Sequence, residues 1–179
     1  MSYRYTSKPP LTFGTFLLLL LFALPAVGVH ISEIVQNIKF NAIVTGYLKR
    51  AADANTIQIA EQELDKALSE IEKRGLTKGN TYVLWETPAT DIGFWYNNLK
   101  TSSQELKNLS PETSAMEKSN MLIKLRETLL DHGQQGDHVT VPYGIGLYPY
   151  NSGYFFGSLV AWAFFGIVII IAGCVYNLD

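Results

Sequence analysis

The chain has 179 residues, of which 47% are hydrophobic, and it combines 14 Lys and Arg with 16 Asp and Glu for a formal net charge of −2 at pH 7. This mildly acidic balance leaves no basic face, so we exclude nucleic acid as a partner. The single cysteine, Cys174, excludes an intramolecular disulfide, and together with three histidines it does not supply the ligands of a structural zinc site. We expect no cofactor.

The amino-terminal end predicts a membrane anchor. Residues 1–10 are polar and basic, and residues 11–29 form an apolar run without a charged side chain, just long enough to cross a bilayer as a helix. The same pattern is typical of a cleaved signal peptide, because the small residues Ala26 and Gly28 come before Val29. We favour the retained signal anchor, in which Pro25 kinks the helix or ends it near the interface.

A second apolar run, residues 154–176, also lacks a charged side chain. As a helix it extends roughly 34 Å and can cross a hydrocarbon core about 30 Å thick. Tyrosine is enriched at membrane interfaces, and aromatic residues mark an outer and an inner end of this run: Tyr148, Tyr150, Tyr154, Phe155 and Phe156 outside, and Tyr176 inside. We therefore predict an integral membrane protein with two transmembrane helices.

The basic residues Arg4 and Lys8 predict the orientation, because positive charges beside a span stay in the cytoplasm. Both the amino terminus and the tail, residues 177–179, are then cytoplasmic. The segment between the spans is periplasmic, luminal or extracellular. A bacterial inner membrane or a thylakoid-like membrane fits this topology.

Between the spans, residues 30–133 predict a helical domain. Residues repeat at intervals of three and four along three stretches, which are Ile31, Ile34, Val35, Ile38 and Ala42; Ile57, Ala60, Leu64, Ala67, Leu68 and Ile71; and Ile92, Trp95, Leu99, Ser102, Leu106 and Leu109. This spacing is typical of helices that bury one face. A further helix is predicted from Pro111 to Asp131. Whether residues 31–74 form one helix or two, broken between Gly46 and Asn55, stays open.

Residue types typical of helix ends predict the bounds of these helices. Caps are expected at Asp53 or Asn55, at Thr90 or Asp91, and at Ser110, and stops are expected at Gly75 and Gly133. The connector at residues 76–90 contains a short β-prone stretch, residues 81–85.

These patterns together predict an all-α membrane protein. Two transmembrane helices flank an extracytoplasmic antiparallel helical bundle or coiled-coil hairpin. Residues 134–153 are rich in Gly, Pro and Tyr and predict an irregular segment that returns the chain to the membrane.

One repeated motif suggests a metal site. Asp131 and His132 are followed six residues later by Asp137 and His138, so two carboxylates and two imidazoles could meet. The spacing matches no zinc motif. A solvated loop, with His132 beside the end of a helix, is the plainer interpretation.

A group of aromatic residues suggests a partner surface formed by Trp85, Phe94 and Tyr96. The alternative, which we favour, places Trp85 and Trp95 in the core of the bundle.

Small residues in the second run suggest a surface for helix association. Gly157 and Ala161 lie one turn apart, and Gly166 and Gly173 add further notches, where another helix can approach closely. The neighbour would be the first span or a helix of a larger complex.

The sequence contains no nucleophile elbow, phosphate-binding loop or paired-histidine motif, so we do not expect an enzyme. We expect a non-catalytic membrane protein whose helical domain binds or positions partners, as an accessory, assembly or scaffold subunit. Its expected partners are membrane lipid and other membrane protein subunits, or a second copy of itself. Two alternatives stay open: a sensor or ligand-binding module that signals through a separate partner, and an envelope enzyme whose site the sequence does not mark.

Overall fold

The computed structural model describes residues 13–133 and 136–177, and these residues are mostly helical. In chain order the elements are α1 (Phe13–Phe40), a π-helical turn (Asn41–Thr45), α2 (Gly46–Ala52), α3 (Ile57–Lys73), α4 (Ile92–Lys107), α5 (Ala115–Leu129), β1 (Leu130–Gly133), β2 (Gly136–Val139) and α6 (Asn151–Asn177). Short 3-10 turns lie at Pro88–Thr90 and Ile145–Leu147. The chain divides into two compact units.

We call these the central unit, residues 35–151, and the terminal unit, which contains the described residues up to Ile34 and from Ser152 onward. The central unit contains one buried cluster of apolar side chains contributed by all its helices. Its largest fully buried members are Phe40, Val44, Leu48, Leu64, Ile71, Leu76, Ile92 and Leu129.

The helix that leaves the first apolar run does not break at Gly46. The backbone N–H of Gly46 donates to the carbonyl of Asn41, five residues earlier, which is the hydrogen bond of a π-helical turn. The helix instead ends after Ala52, and α3 begins at Ile57. Residues 31–74 therefore form two helices, and α1 does not close at Pro25.

The ends of α3 follow from local chemistry. The side chain of Thr56 accepts a hydrogen bond from Ile59 N, 3.3 Å away, so Thr56 is the N-cap, and the predicted caps at Asp53 and Asn55 are wrong. At the other end Gly75 has φ +70°, and the N–H of Leu76 donates to the carbonyl of Ile71. This is a Schellman stop, and the predicted end at Gly75 is confirmed.

The helices α3 and α4 run antiparallel. Ser103 Oγ donates to Asp65 Oδ1 at 2.8 Å, and Tyr96 Oη donates to Glu72 Oε1 at 2.6 Å, so higher numbers on α3 meet lower numbers on α4. Asp91 caps α4, because its side chain accepts from the N–H of Phe94 at 3.0 Å. The helix α5 packs on α2, α3 and α4, which completes a helical bundle.

The predicted start of the last bundle helix is wrong. Ser110 lies in a turn, and α5 begins at Ala115 behind a capping box in which Ser114 and Glu117 bond each other's backbone N–H groups. The Ser-x-x-Glu pattern satisfies two N–H groups that a helix leaves unpaired. That advantage explains why the helix starts here and not at Pro111.

The end of this helix also differs from the prediction. α5 stops at Leu129, and the chain enters an antiparallel hairpin in which Leu130 of β1 faces Val139 of β2. The structure is therefore not purely helical, and residues 136–139, predicted as irregular, form a strand. The β-prone stretch at residues 81–85 forms no strand; an isolated bridge joins Asn80 and Asp91 beside it.

Among the described residues, α6 is the only helix that is long and apolar enough to cross a membrane. The segment that meets this condition is Asn151–Ile171. This property concerns length and composition, and none of the segment is buried in the protein. The predicted first span begins in residues 1–12, which lie outside the described residues, and it stays a prediction.

Candidate functional site

The aromatic residues chosen from the sequence lie in three different environments. Tyr96 is only 8% exposed, and its hydroxyl donates to Glu72, so its assignment to a partner surface is wrong. That hydrogen bond, burial and the charge of Glu72 raise the pKa of Tyr96. Phe94, on the first turn of α4, is 64% exposed.

The two tryptophans separate in the same way. Trp95 is 7% exposed, and its indole N–H donates to the carbonyl of Thr140 at 2.9 Å, so the expectation that it belongs to the core is confirmed. Trp85 is 59% exposed, and its expected burial is wrong. The ring of Trp85 lies 5.1 Å from that of Tyr82, and Leu84 beside it is also exposed.

We call Tyr82, Leu84 and Trp85 the aromatic loop. Its base is fixed by Thr81, which is buried and whose hydroxyl donates to the carbonyl of Tyr143. The next carbonyl, of Gly144, accepts a hydrogen bond from the side-chain amide of Asn151 at 2.9 Å. Since Asn151 is the first residue of α6, two hydrogen bonds connect the aromatic loop to the start of the apolar helix.

The predicted metal ligands form an ion cluster on the hairpin. Asp137 bonds His132 Nδ1 through Oδ1 at 2.7 Å and accepts from Arg126 Nη2 through Oδ2 at 2.9 Å. Both bonds lower the pKa of Asp137, and the bond to His132 has the larger effect. The bond to Asp137 in turn raises the pKa of Arg126.

The strand register separates the remaining ligands. His132 faces Asp137, and Asp131 faces His138; because successive side chains of a strand point to opposite faces, the two pairs lie on opposite faces of the hairpin. Among the described residues no group of three or more His, Cys, Asp or Glu could hold a metal ion. The motif is thus one cross-strand ion pair, His132 with Asp137, and one pair of facing residues, Asp131 and His138, on the other face.

A buried carboxylate was missed by the sequence analysis. Glu63 is 3% exposed on α3, and its Oε1 accepts from Arg50 Nη2 at 3.0 Å and from Lys66 Nζ at 2.7 Å. The two cations compensate for the burial of the charge. Its burial could have been predicted from its position in the sequence, because Glu63 lies beside Leu64 on the apolar stripe of α3.

Three of the predicted small residues of α6, the glycines, lie beside open space among the described residues. No heavy atom lies within 4 Å of a Cβ placed at Gly157, Gly166 or Gly173, apart from the helix's own backbone. Gly157 and Gly166 are nine residues apart, or half a turn at about 100° per residue. The four predicted positions, including Ala161, therefore do not form one continuous face.

Two polar contacts join α1 and α6 within the terminal unit. The indole N–H of Trp162 donates to His30 Nε2 at 2.9 Å, and Ser32 Oγ and Tyr154 Oη are 2.8 Å apart. His30 Nδ1 also lies 3.1 Å from Glu33 Oε2. The residue pattern of the two apolar runs does not predict these contacts.

A different face of α1 is uncovered. Leu17, Leu21, Leu24, Gly28, Ile31, Val35 and Ile38 repeat at alternating intervals of four and three, and all are exposed. We call these residues the α1 seam. Ala26, which is buried, lies half a turn from Val35 and one turn from His30, so the seam lies on the side of α1 opposite to Ala26.

Comparison of this chain with known protein families, curated proteins and solved structures finds no match. The functional argument therefore depends on the geometry alone.

Proposed function

We propose that this chain is a non-catalytic integral membrane protein, an accessory, assembly or scaffold subunit that binds other membrane proteins or a second copy of itself. The observation that carries the proposal is the α1 seam. Large aliphatic side chains exposed along one helix face, such as Ile38 at 60% exposure, indicate a surface that another molecule covers.

The spacing of the seam favours a helix as that molecule. Apolar positions that alternate at intervals of three and four follow the 3.5-residue repeat of helices packed side by side. Lipid tails impose no such repeat, because they accept an apolar side chain anywhere on a helix. Gly28, in the middle of the seam, gives a neighbouring backbone room to approach closely.

The flanking residues support the same conclusion. Beyond residue 29, polar residues separate the exposed apolar positions Ile31, Ile34, Val35 and Ile38. They are Ser32, Glu33, Gln36, Asn37 and Lys39. An apolar stripe on an otherwise polar stretch is typical of a helix that buries only that stripe.

In the proposed topology α6 crosses the bilayer and the first apolar run crosses beside it, with both termini in the cytoplasm. The central unit then lies in the periplasm, a lumen or outside the cell. Two copies of the chain would present their seams parallel and at the same depth, since the same run anchors both. Each seam residue would face its own counterpart.

Cysteine crosslinking in native membranes tests this proposal. In a Cys174→Ser background, Ile31→Cys and Ile38→Cys place single thiols on the seam, and Gln36→Cys is the control, since it lies about 100° from Val35 on the same helix. We expect mild oxidation to link seam cysteines into homodimers. A bifunctional thiol reagent with mass spectrometry identifies another subunit if one occupies the seam. Crosslinking of Gln36→Cys equal to that of both seam variants would contradict the proposal.

A further inference from the structure

Exposed aromatic side chains lie close together on the aromatic loop. Tyr82, Leu84 and Trp85 are all exposed, and Tyr143, on the neighbouring segment, is exposed as well. Tyr and Trp have an apolar ring and one polar group. Such side chains are stabilised where an apolar medium meets water.

The position of the loop limits which apolar medium it can reach. The hydroxyl of Thr81 bonds the carbonyl of Tyr143, and the carbonyl of Gly144 bonds the side chain of Asn151. Each bond joins atoms that lie within a few ångströms, and Asn151 is the residue where the apolar span of α6 begins. Within the central unit, the aromatic loop is therefore linked through Tyr143 and Gly144 to Asn151, the residue that directly precedes the terminal unit's part of α6.

The return segment is itself held in place by contacts within the central unit. Gly144 has φ +73°, which lets the chain turn where a residue with a Cβ would be strained. Two residues later, Gly146 lies against Asn37 of α1. With these contacts the aromatic loop cannot be displaced far from Asn151 without breaking bonds in the central unit.

We infer that the aromatic loop and Tyr143 rest in the headgroup region of the bilayer that α6 spans, so that the occupant of this surface is lipid. The inference rests on the proposed function, because it needs α6 in a membrane. It assigns Trp85 to the lipid interface in place of a protein partner. It also gives the central unit a second attachment to the membrane, beside its covalent connection to α6.

The three tryptophans of the chain allow a direct test, because each is expected in a different environment. Trp95 is in the protein core, Trp162 lies eleven residues into α6, and Trp85 lies in the headgroup region. The full chain is reconstituted into phosphatidylcholine vesicles, with lipids brominated either near the headgroup or deep in the acyl chain. The emission of one tryptophan is the difference between the wild type and its Trp→Phe variant.

We expect headgroup-proximal bromine to reduce the emission of Trp85 by about twofold, as for an indole in the interface, and aqueous iodide to quench it only in part. Deep bromine should quench Trp162 more than Trp85. The inference is overturned if iodide quenches Trp85 fully and brominated lipid leaves it unchanged, which would return the loop to a role as a protein-binding surface. If Trp162 also escapes brominated lipid, the membrane span of α6 fails as well, so the two failures are distinguishable.

A labelled cysteine provides a second measurement. In the Cys174→Ser background, Leu84→Cys carries an environment-sensitive fluorophore, and Met116→Cys is the control, because Met116 is also exposed and lies beyond the far end of α4, roughly 22 Å of helix from Ile92. We expect the label at residue 84 to shift to the blue on reconstitution and the label at residue 116 to remain as in water. Equal shifts at both positions would overturn a specific contact by the loop.

Discussion

The contact between Gly146 and Asn37 predicts that one substitution, Gly→Ala, has opposite effects at two places in the central unit. A Cβ added at Gly146 would lie 2.5 Å from Asn37 Oδ1 and 3.2 Å from Asn37 Cα. A Cβ added at Gly46 would meet only the carbonyl oxygen of Asn41, at 3.9 Å. Gly46 also has helical backbone angles, φ −60° and ψ −46°, which alanine adopts without strain.

The expected magnitudes follow from these distances. The amide of Asn37 can rotate away from a new methyl group, but its Cα belongs to α1 and moves only with the helix. Overpacking of this kind costs about 1–3 kcal/mol. At Gly46 the alanine should stabilise the fold by about 0.5–1 kcal/mol, because it reduces the freedom of the unfolded chain and favours the helix.

The measurement is thermal unfolding of the full chain in detergent micelles, followed by near-ultraviolet circular dichroism, which reports the packing of Trp95 and other buried aromatic residues. For a unit of this size each kcal/mol shifts the midpoint by about 3–6 °C. The midpoint should fall by at least about 3 °C for Gly146→Ala and rise by about 2–5 °C for Gly46→Ala.

A second substitution checks the cause. Asn37→Ala removes two of the three atoms nearest the added methyl group, Oδ1 and Cγ, so it should restore part of the stability that Gly146→Ala loses. The reasoning is refuted if Gly146→Ala unfolds at or above the wild-type midpoint, or if both glycine variants shift in the same direction.

Two further predictions concern hydrogen bonds to carboxylates. Tyr96→Phe removes the bond to Glu72 and should cost roughly 1.5–3 kcal/mol; because the folded state raises the pKa of Tyr96, the difference from wild type should be present below pH 10 and decrease as the pH rises through the raised value. Asp137→Asn removes an ion pair with Arg126 and His132. Because the folded state lowers the pKa of Asp137, the wild-type advantage should be present above the ordinary value of 3.8 and disappear as the pH falls through the lowered one. Unfolding midpoints measured across pH check both; a constant difference at all pH values contradicts either.

The helices could be predicted where the local pattern and the tertiary structure agree. In α3 the stripe from Ala60 to Ile71 is buried, and the stop at Gly75 lies where the sequence indicates it. Both features depend on residues close in sequence. The N-caps were less certain, because Thr56 and Ser114 compete with equally suitable residues a few positions away.

The hairpin could not be predicted from propensity, because Asp and Gly are unfavourable in strands. Its evidence is the repeat of Asp and His itself, which places His132 opposite Asp137 once the strands pair. The same repeat suggested a metal site. Only the strand register decides between a metal site and cross-strand pairs. Because side chains alternate between the two faces, it places His132 with Asp137 on one face and Asp131 with His138 on the other.

The exposure of the aromatic residues could not be predicted from their neighbours in the sequence alone. Trp95 and Tyr96 are buried by α3 and the return segment, whereas Trp85 lies on a loop and is 59% exposed. A helical stripe identifies Trp95 as internal. No corresponding period exists in the connector, so the burial of Trp85 could not be judged from its neighbours.

The contacts between α1 and α6 bear on where the first membrane segment ends and the polar segment after it begins. Trp162 meets His30, and Tyr154 meets Ser32, so the helices run antiparallel and residues 30–32 lie beside the first half of α6. If α6 spans the bilayer from Asn151, His30 and Glu33 lie inside the membrane, although the predicted first span ends at residue 29. An ionisable pair is tolerated there only with partners, and these are present: the indole N–H of Trp162 donates to His30 Nε2, which leaves His30 Nδ1 to donate to Glu33. The polar residues just after the first apolar run thus join α1 to α6, while Ile31 and Ile34 remain exposed for lipid or a neighbouring helix.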